Sequence, residues 1–345
     1  MLTIVVDEGS TYTKVAYVDS KSRKLKTVLL PNSFRSGWKT GFADVVPSNY
    51  QIGATKYCYD KTADIAIETT SISYQYSDQS LLAVHHSLLE TKLEPQEINL
   101  VVTLPVTQYY NSNDNQINQI NVDRKIQNLK RSLSRMNNAP IFNFSSIKVM
   151  PESLPAAISE LSSTVTNDFE RTLCIDAGGT TLDYGVIVGA YDDISNIGGN
   201  ENIGVVSVSK RVQTVMDVAS SRISQSMANE FIVKRNDNDF VKSVINDHSK
   251  IDMVLSETDL AIQSYVDSVI AEIKKFGNTI NRILIVGGGA HLLLEPIKLA
   301  FPIIAQKIKI IENPQLALAC EIMKYESDDI TAYDVPVEVV DGCEN

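Results

Sequence analysis

The sequence predicts an α/β protein built as two related domains, each with an inserted subdomain, that close on a shared cleft. Three observations lead there. The run Asp176-Ala177-Gly178-Gly179-Thr180-Thr181-Leu182-Asp183 lies between two apolar stretches, Thr172 to Ile175 and Tyr184 to Val188, and so describes a β-hairpin with a polar, glycine-rich tip. An ungapped echo runs from Ile4 to Lys14 and matches Asp7 to Asp176, Gly9 to Gly178 and Thr11 to Thr180. A repeat at that distance means a duplicated domain-sized unit in which each copy brings one hairpin to the cleft. Finally, Arg282 to Val286 reads as a strand that passes through Gly287-Gly288-Gly289-Ala290 into a helix, which is how a chain brings backbone against a nucleoside. That run is not GxGxxG, so a dinucleotide-binding domain has poor support.

Composition bounds the rest. The chain has 345 residues, enough for two domains of ordinary size, and its 43% hydrophobic and 21% charged content is that of a globular protein. No apolar run approaches the ~20 residues that cross a bilayer, and the first residues enter a strand without a basic, apolar leader. The expected location is therefore the cytoplasm, with no membrane partner. Four cysteines, Cys58, Cys174, Cys320 and Cys343, show no paired spacing for zinc or redox chemistry, which predicts reduced thiols. The formal net charge of −11 works against direct attraction to DNA, so a role on DNA would need an adaptor.

In the first half, Leu2 to Asp7 is a nearly continuous apolar run, as in a buried strand, and Thr13 to Val18 and Leu25 to Leu30 extend it into a small meander. From Pro31 to about Ser80 the chain turns often and is rich in tyrosine, which predicts an inserted subdomain. Its aromatic residues serve packing or protein contact, and Trp38 is structural. Ser80 to Glu90 has helical periodicity and Ile98 to Thr103 is a strand. His85 and His86 diverge by about 100° on a helix, so they pack or face solvent rather than share a metal. Val122, Ile126, Leu129, Leu133 and Met136 make one apolar helix stripe. Arg124, Lys125, Lys130, Arg131 and Arg135 are then its solvated side, or a contact for an acidic neighbour such as another copy of the chain. Ile147 to Met150 is a strand that meets a helix across Pro151 to Ala157. The first domain is thus 1–160, with its subdomain at about 31–80.

In the second half, Asp192 to Gly204 reads as a turn-rich connection. Val208, Val212, Val215 and Ala219 mark one helix, and Ile262, Val266, Val269, Ile273 and Phe276 mark a long one stopped by Gly277. With the charged stretch Lys234 to Asp252 they form a helical insert at about 205–278. A helix from about His291 to Ala300 follows the glycine run, and Asn313 as N-cap with Pro314 at the first helical position opens the last helix. The second domain is 161–325. Beyond Lys324 there is no Lys or Arg while acids accumulate, so 326–345 is a peripheral acidic tail.

The chemistry lies at the hairpin tips. Gly178 and Gly179 allow close backbone approach, so successive N–H groups can face an anion, and Asp176 can hold a divalent cation through water. Lys14, on the returning strand of the first hairpin, is either a phosphate contact or an ordinary strand-end lysine. Glu152 is either a carboxylate that orients water in the cleft or one that favours the positive end of the helix it precedes.

In chain order, Asp7-Glu8-Gly9-Ser10-Thr11 through Lys14, then Glu152, then Asp176 to Thr181, then Val286 to Ala290, resembles the five-part pattern of the actin/Hsp70/sugar-kinase ATPase superfamily. The shorter strings Tyr76-Ser77-Asp78, Ala83-Val84-His85-His86, Thr103-Leu104-Pro105, Tyr109-Tyr110, Val149-Met150-Pro151-Glu152-Ser153 and Gly178 to Asp183 look like the ParM (StbA) plasmid-segregation ATPases. The resemblance implies an actin-like ATPase fold with the nucleotide in the interdomain cleft, and filaments that move plasmid copies through a DNA-bound adaptor of ParR type. It implies ATP, with GTP open, and Mg²⁺ as cofactors. By motif position, Asp7 and Asp176 are the Mg²⁺-associated carboxylates and Lys14 a phosphate contact. Gly9, Ser10, Thr11, Gly178, Gly179 and Thr180 form the phosphate cradle, and Gly287, Gly288 and Gly289 lie against the nucleoside. Glu152 falls where the family places the residue that orients the attacking water, and with Asp176 it is the expected catalytic pair. Asp183 matches the family string without an assigned chemical step.

A small-molecule kinase with the same cleft, or a non-hydrolysing scaffold, is the rival expectation. A kinase needs a hydroxyl pocket with its own base beside the γ-phosphate, and the sequence has no distinct motif for one. An Hsp70-like chaperone is disfavoured, because little chain follows the last nucleotide motif.

Overall fold

The computed structural model describes residues 1–42, 46–61, 66–164 and 167–327, together with the backbone of a strand at 338–340. The opening meander comprises β1 (Thr3–Glu8), β2 (Tyr12–Val18) and β3 (Leu25–Pro31), antiparallel, with Asp7 opposite Lys14 and Tyr12 opposite Pro31. Strands β4 (Phe34–Ser36), β5 (Asn49–Ile52) and β6 (Thr55–Tyr59) then leave this plane. A short turn of helix at Ile72–Tyr76 leads into α1 (Asp78–Glu90), whose N-cap Ser77 accepts from the Ser80 N–H. The parallel strand β7 (Glu97–Leu104) pairs with β1 and is followed by the short α2 (Val106–Tyr109) and by α3 (Gln119–Leu129), capped by Asn118. After β8 (Ser134–Arg135), β9 (Asn143–Pro151) pairs parallel with β7 and runs into α4 (Ile158–Thr164).

The second half repeats the plan. A hairpin of β10 (Arg171–Ala177) and β11 (Leu182–Val188) is continued by β12 (Asp193–Asn200), then α5 (Val206–Val218), α6 (Gln225–Lys234), α7 (Asn238–Val244) and α8 (Ile251–Ile273). Gly277, at φ 49°, turns the chain out of this helical region. Then come β13 (Arg282–Val286), α9 (Ala290–Ala300), β14 (Ile308–Ile310) and α10 (Ala317–Glu326), and finally β15 (Glu338–Val340).

The strands form a six-stranded sheet of order β15-β3-β2-β1-β7-β9, a five-stranded sheet of order β12-β11-β10-β13-β14, and a four-stranded sheet of order β4-β6-β5-β8. Each large sheet has an antiparallel meander joined to parallel strands, so the duplication read from the hairpins extends to both domains. The small sheet takes β8 from far outside 31–80. One apolar core lies on each large sheet, under α1 and α3 in the first and under α5 and α8 in the second. Two further clusters join the halves: Val5, Ala16 and Val101 pack with Val286 and the face of α10, and Val106, Leu154 and Leu161 pack with Cys174, Ile187 and Leu284.

Three expectations are corrected. Residues 193–200 form the edge strand β12 rather than a loop, because main-chain pairing with β11 needs no apolar side chains. Asn313 is not an N-cap: it adopts φ 47° and its carbonyl accepts from the Leu316 and Ala317 N–H groups, so the helix begins later, at Ala317. Lys125 is not on a solvated face. It is fully buried on α3, ion-paired with the equally buried Glu8 at the end of β1, and it donates to Gln75 Oε1 (2.6 Å) and Ser80 Oγ (3.1 Å). His85 and His86 are both buried, the latter in contact through Nδ1 with the Tyr50 hydroxyl at 2.8 Å, and burial depresses them to about 4 and about 3. Of the tail, Cys343 and most of 328–345 lie outside the described residues, and β15 pairs in parallel with β3 at the sheet edge.

Candidate functional site

The two hairpin tips meet. Ser10 Oγ hydrogen-bonds Thr180 Oγ1, and a Cβ added at Gly179 would collide with the Thr11 side chain. A Cβ at Gly9 would come within 2.8 Å of Lys14 Nζ, so that position leaves room for the ammonium. Asp7, Gly9, Ser10, Thr11, Lys14, Glu152, Asp176, Gly178, Gly179 and Thr180 line a single small cavity of about 60 Å³, with Tyr74 and Gln75 on its other wall. The structure thus brings the expected phosphate, metal and water-orienting positions to one point.

The turns are held with their carbonyls turned back into the protein. In the first hairpin, Asn32 Nδ2 donates to the Gly9 carbonyl (2.6 Å) and Ser10 carbonyl (3.2 Å), and Thr69 Oγ1 also donates to Ser10. In the second, the Val205 and Val206 N–H groups, at the start of α5, donate to the Gly178 and Gly179 carbonyls at 3.2 and 2.8 Å. Among the described residues, the N–H groups of Ser10, Thr11, Gly179 and Thr180 donate to no protein acceptor. Main-chain donors left unpaired, among the described residues, in turns that line a cavity are what an anion needs. A cavity of about 60 Å³ holds roughly two waters. The Ser10–Thr180 contact closes the two tips beside this space.

The charges around the cavity are mostly acidic. Asp7 Oδ2 lies 3.0 Å from Lys14 Nζ, and its Oδ1 accepts from Thr103 Oγ1 at 3.0 Å. Burial pushes Asp176 up to about 6 against the pull of Lys14. Burial, with Asp7, Asp183 and Asp176 nearby, pushes Glu152 well above the usual carboxylate range, again against Lys14, and its Oε1 is buried without a hydrogen-bond partner among the described residues. Asp183, opposite Asp176 in the hairpin, is pushed up to about 7 by burial although Thr181 Oγ1 donates to it at 2.6 Å. Among the described residues no three His, Cys, Asp or Glu side chains are placed to hold a metal by themselves. A cation held here by Asp7 and Asp176 would have to take its other ligands from phosphate and water, as Mg²⁺ commonly does.

Gly287, Gly288 and Gly289 stand beside the second hairpin rather than in the small cavity. A Cβ at Gly287, where φ is 86°, would strike Asp176 Oδ1, and the Gly289 N–H donates to the Ala177 carbonyl at 3.0 Å. Gly289 also abuts Tyr265, whose buried hydroxyl has no hydrogen-bond partner among the described residues. Tyr265 borders a second hollow of about 430 Å³ between α5 and α8, lined by Ile203, Ser207, Arg211 and Ser264 among others. Sequence reading did not single out Tyr265, Asn32 or Thr69; Thr103 entered it within the string Thr103-Leu104-Pro105, without a role. Each lies far in sequence from the hairpin it serves, and no local motif marks it.

Two family profiles match nearly end to end: one described as plasmid segregation protein ParM, N-terminal, over residues 2–163, and one as plasmid segregation protein ParM, C-terminal, over residues 166–325. Among solved structures, the chain is similar to a 15-stranded ParM filament from Clostridium botulinum at 16% identity, with 94% of this chain and 98% of that one covered and a TM-score of 0.69. It is also similar to Ta0583, an archaeal actin homologue (15% identity, 94% and 99% covered, TM-score 0.68). The complex of that homologue with ADP superposes at a TM-score of 0.65, with 16% identity and 95% and 100% covered. These likenesses establish the actin-like fold. A search of curated proteins gives no sequence match.

Proposed function

The chain belongs to the ParM family of plasmid-segregation proteins, and from that premise we propose that it is a polymerising ATPase whose filaments engage plasmid DNA through a bound adaptor of ParR type. The observation that carries the nucleotide part is the meeting of two acid-bearing hairpins, one from each domain, with unpartnered N–H groups at both tips and Lys14 beneath them.

Bound Mg–ATP would supply the phosphoryl group that water attacks. The residues of the chain do the remaining work. Ser10, Thr11, Gly179 and Thr180 orient N–H groups on phosphate oxygens, and the Lys14 ammonium neutralises their charge. Asp7 and Asp176, one from each hairpin, would hold the cation. Glu152 orients the attacking water and takes its proton, a role that suits a buried carboxylate with raised proton affinity. The glycine turn and the hollow beside Tyr265 accept the nucleoside, adenosine or guanosine.

Because the hairpins belong to different domains, a γ-phosphate held by both ties the domains together and hydrolysis removes the tie. ATP therefore favours a closed, filament-competent form and ADP a form that leaves the filament. Sedimentation and light scattering with ATP, ADP and a non-hydrolysable analogue test this. Polymer with ATP and the analogue but not ADP is expected; polymer in ADP alone, or none in ATP, would overturn it. A net charge of −11 fits an adaptor-mediated contact with DNA rather than a direct one.

A further inference from the structure

Glu152 sits on a backbone feature that neither the family profiles nor the hairpin motif explains. Ser153, directly after it, is fully buried and adopts φ 68° and ψ −68°. The Leu154 N–H donates to the Glu152 carbonyl at 2.7 Å, two residues back. These are the marks of a γ-turn of the rare, strained kind, and here a non-glycine residue occupies its centre.

Such a conformation persists only where the surroundings over-determine it, and here both domains do so. From the first sheet, the Leu104 carbonyl at the end of β7 accepts from the Glu152 N–H at 2.8 Å. From the second, the Cys174 thiol on β10 donates to the Ser153 carbonyl at 3.5 Å, and the Ser153 hydroxyl points back at that sulfur. The Tyr191 hydroxyl donates to the Leu154 carbonyl at 2.5 Å. Leu154 presses into a notch in β11 where Gly185 has no side chain: a Cβ there would lie 2.6 Å from Leu154 Cδ2. The pairing of β11 with β12 also shifts register at that glycine. On the other side of the turn, Glu152 lines the cleft with a buried carboxylate oxygen that is unpartnered among the described residues.

We propose that Ser153 is a positioning residue: the strained turn centred on it, gripped by Leu104 of one domain and by Cys174 and Gly185 of the other, aims the Glu152 carboxylate into the cleft. The inference rests on the proposed role of Glu152 in turnover. A turn held from both sides also makes the aim of that carboxylate depend on how the two domains are docked.

The test compares residues at position 153 by their tolerance of positive φ. Phosphate release at saturating Mg–ATP and the affinity for a fluorescent ATP analogue are measured for Ser153→Gly and Ser153→Val, each alone and with Glu152→Ala. Glycine accepts the turn, so Ser153→Gly keeps turnover within about 3-fold of the parent. Valine cannot, so Ser153→Val loses turnover by more than about 10-fold while nucleotide affinity stays within about 2-fold. In the Glu152→Ala background, Ser153→Val costs no further turnover, which a merely structural role would not produce. Should Ser153→Val not fold, Cys174→Ala carries the test, because it withdraws the thiol from under the turn without altering its backbone. It is expected to slow turnover about 3-fold at unchanged affinity, as loss of one positioning contact would. Parental turnover in Ser153→Val or Cys174→Ala, equal losses for glycine and valine, or equal losses with and without Glu152 would each overturn the inference. If Glu152→Ala itself turns over normally, the role of Glu152 fails and takes this inference with it; if Glu152→Ala is slow and Ser153→Val is not, the inference fails alone.

Discussion

Glu8 and Lys125 form an ion pair in which both side chains are fully buried, directly behind the first hairpin. Glu8 follows Asp7 in β1, and the same ammonium reaches Gln75, which lines the cleft. The pair therefore joins the strand that carries Asp7 to α3 and to Gln75 in the cavity wall. Removing the cation alone leaves a carboxylate with no partner in the core. Lys125→Met is expected to cost on the order of 3–5 kcal/mol in urea unfolding, whereas Glu8→Gln combined with Lys125→Met recovers most of that loss. A single variant as stable as the parent would contradict the pairing.

The roles proposed for Asp176 and Glu152 are separable. Asp176→Ala is expected to abolish Mg²⁺-dependent phosphate release, since one of the two carboxylates proposed to hold the cation is gone. Glu152→Ala is expected to bind nucleotide normally but to hydrolyse it on the order of 100-fold more slowly. Titration with a fluorescent nucleotide beside a phosphate-release assay separates the two, and unchanged turnover in both would remove the site assignment.

Asp183 gives a pH dependence of known sign. Burial holds its carboxyl at about 7, above its ordinary value of 3.8, so between those values the folded chain keeps a proton that the unfolded chain has lost. Folding stability from this group accordingly falls as pH rises from 3.8 to about 7 and is level above that. Without nucleotide, the thermal midpoint should drop across the upper part of that window, and Asp183→Asn should flatten the drop. An identical slope in parent and variant would show that Asp183 does not titrate there.

Much of this architecture is legible in the sequence. Both hairpins, the long helix ending near Gly277 and the strand, glycine and helix run carry their own periodicity and punctuation, so short-range rules find them. Lys125 shows where that stops. On a helix wheel it is one more cation beside Arg124, and only the arrival of Glu8, distant in the chain, makes burial tolerable. Residues 193–200 lack apolar alternation because β12 is an edge strand bound by its main chain, which side-chain patterns do not report. Ser153 is equally silent: a left-handed serine leaves no trace in composition, and the contacts that hold it come from Leu104, Cys174 and Gly185. Asn32 and Thr69 anchor the first tip by the same long-range logic.

Gly179 offers a steric check on closure. A methyl group there would overlap the Thr11 side chain across the cleft. Gly179→Ala is expected to hold the tips apart and weaken nucleotide affinity by about 10-fold, and Thr11→Ser in the same chain to restore part of it. Calorimetric titration of both variants reads this directly, and parental affinity in Gly179→Ala would show that the tips do not approach as described.

The central claim, that one nucleotide is gripped by hairpins from both domains, is tested most directly by amide hydrogen exchange with and without Mg–ATP. The N–H groups of Ser10, Thr11, Gly179 and Thr180, unpartnered among the described residues, should all gain protection together when nucleotide binds. Protection confined to one hairpin, or to neither, would contradict the account.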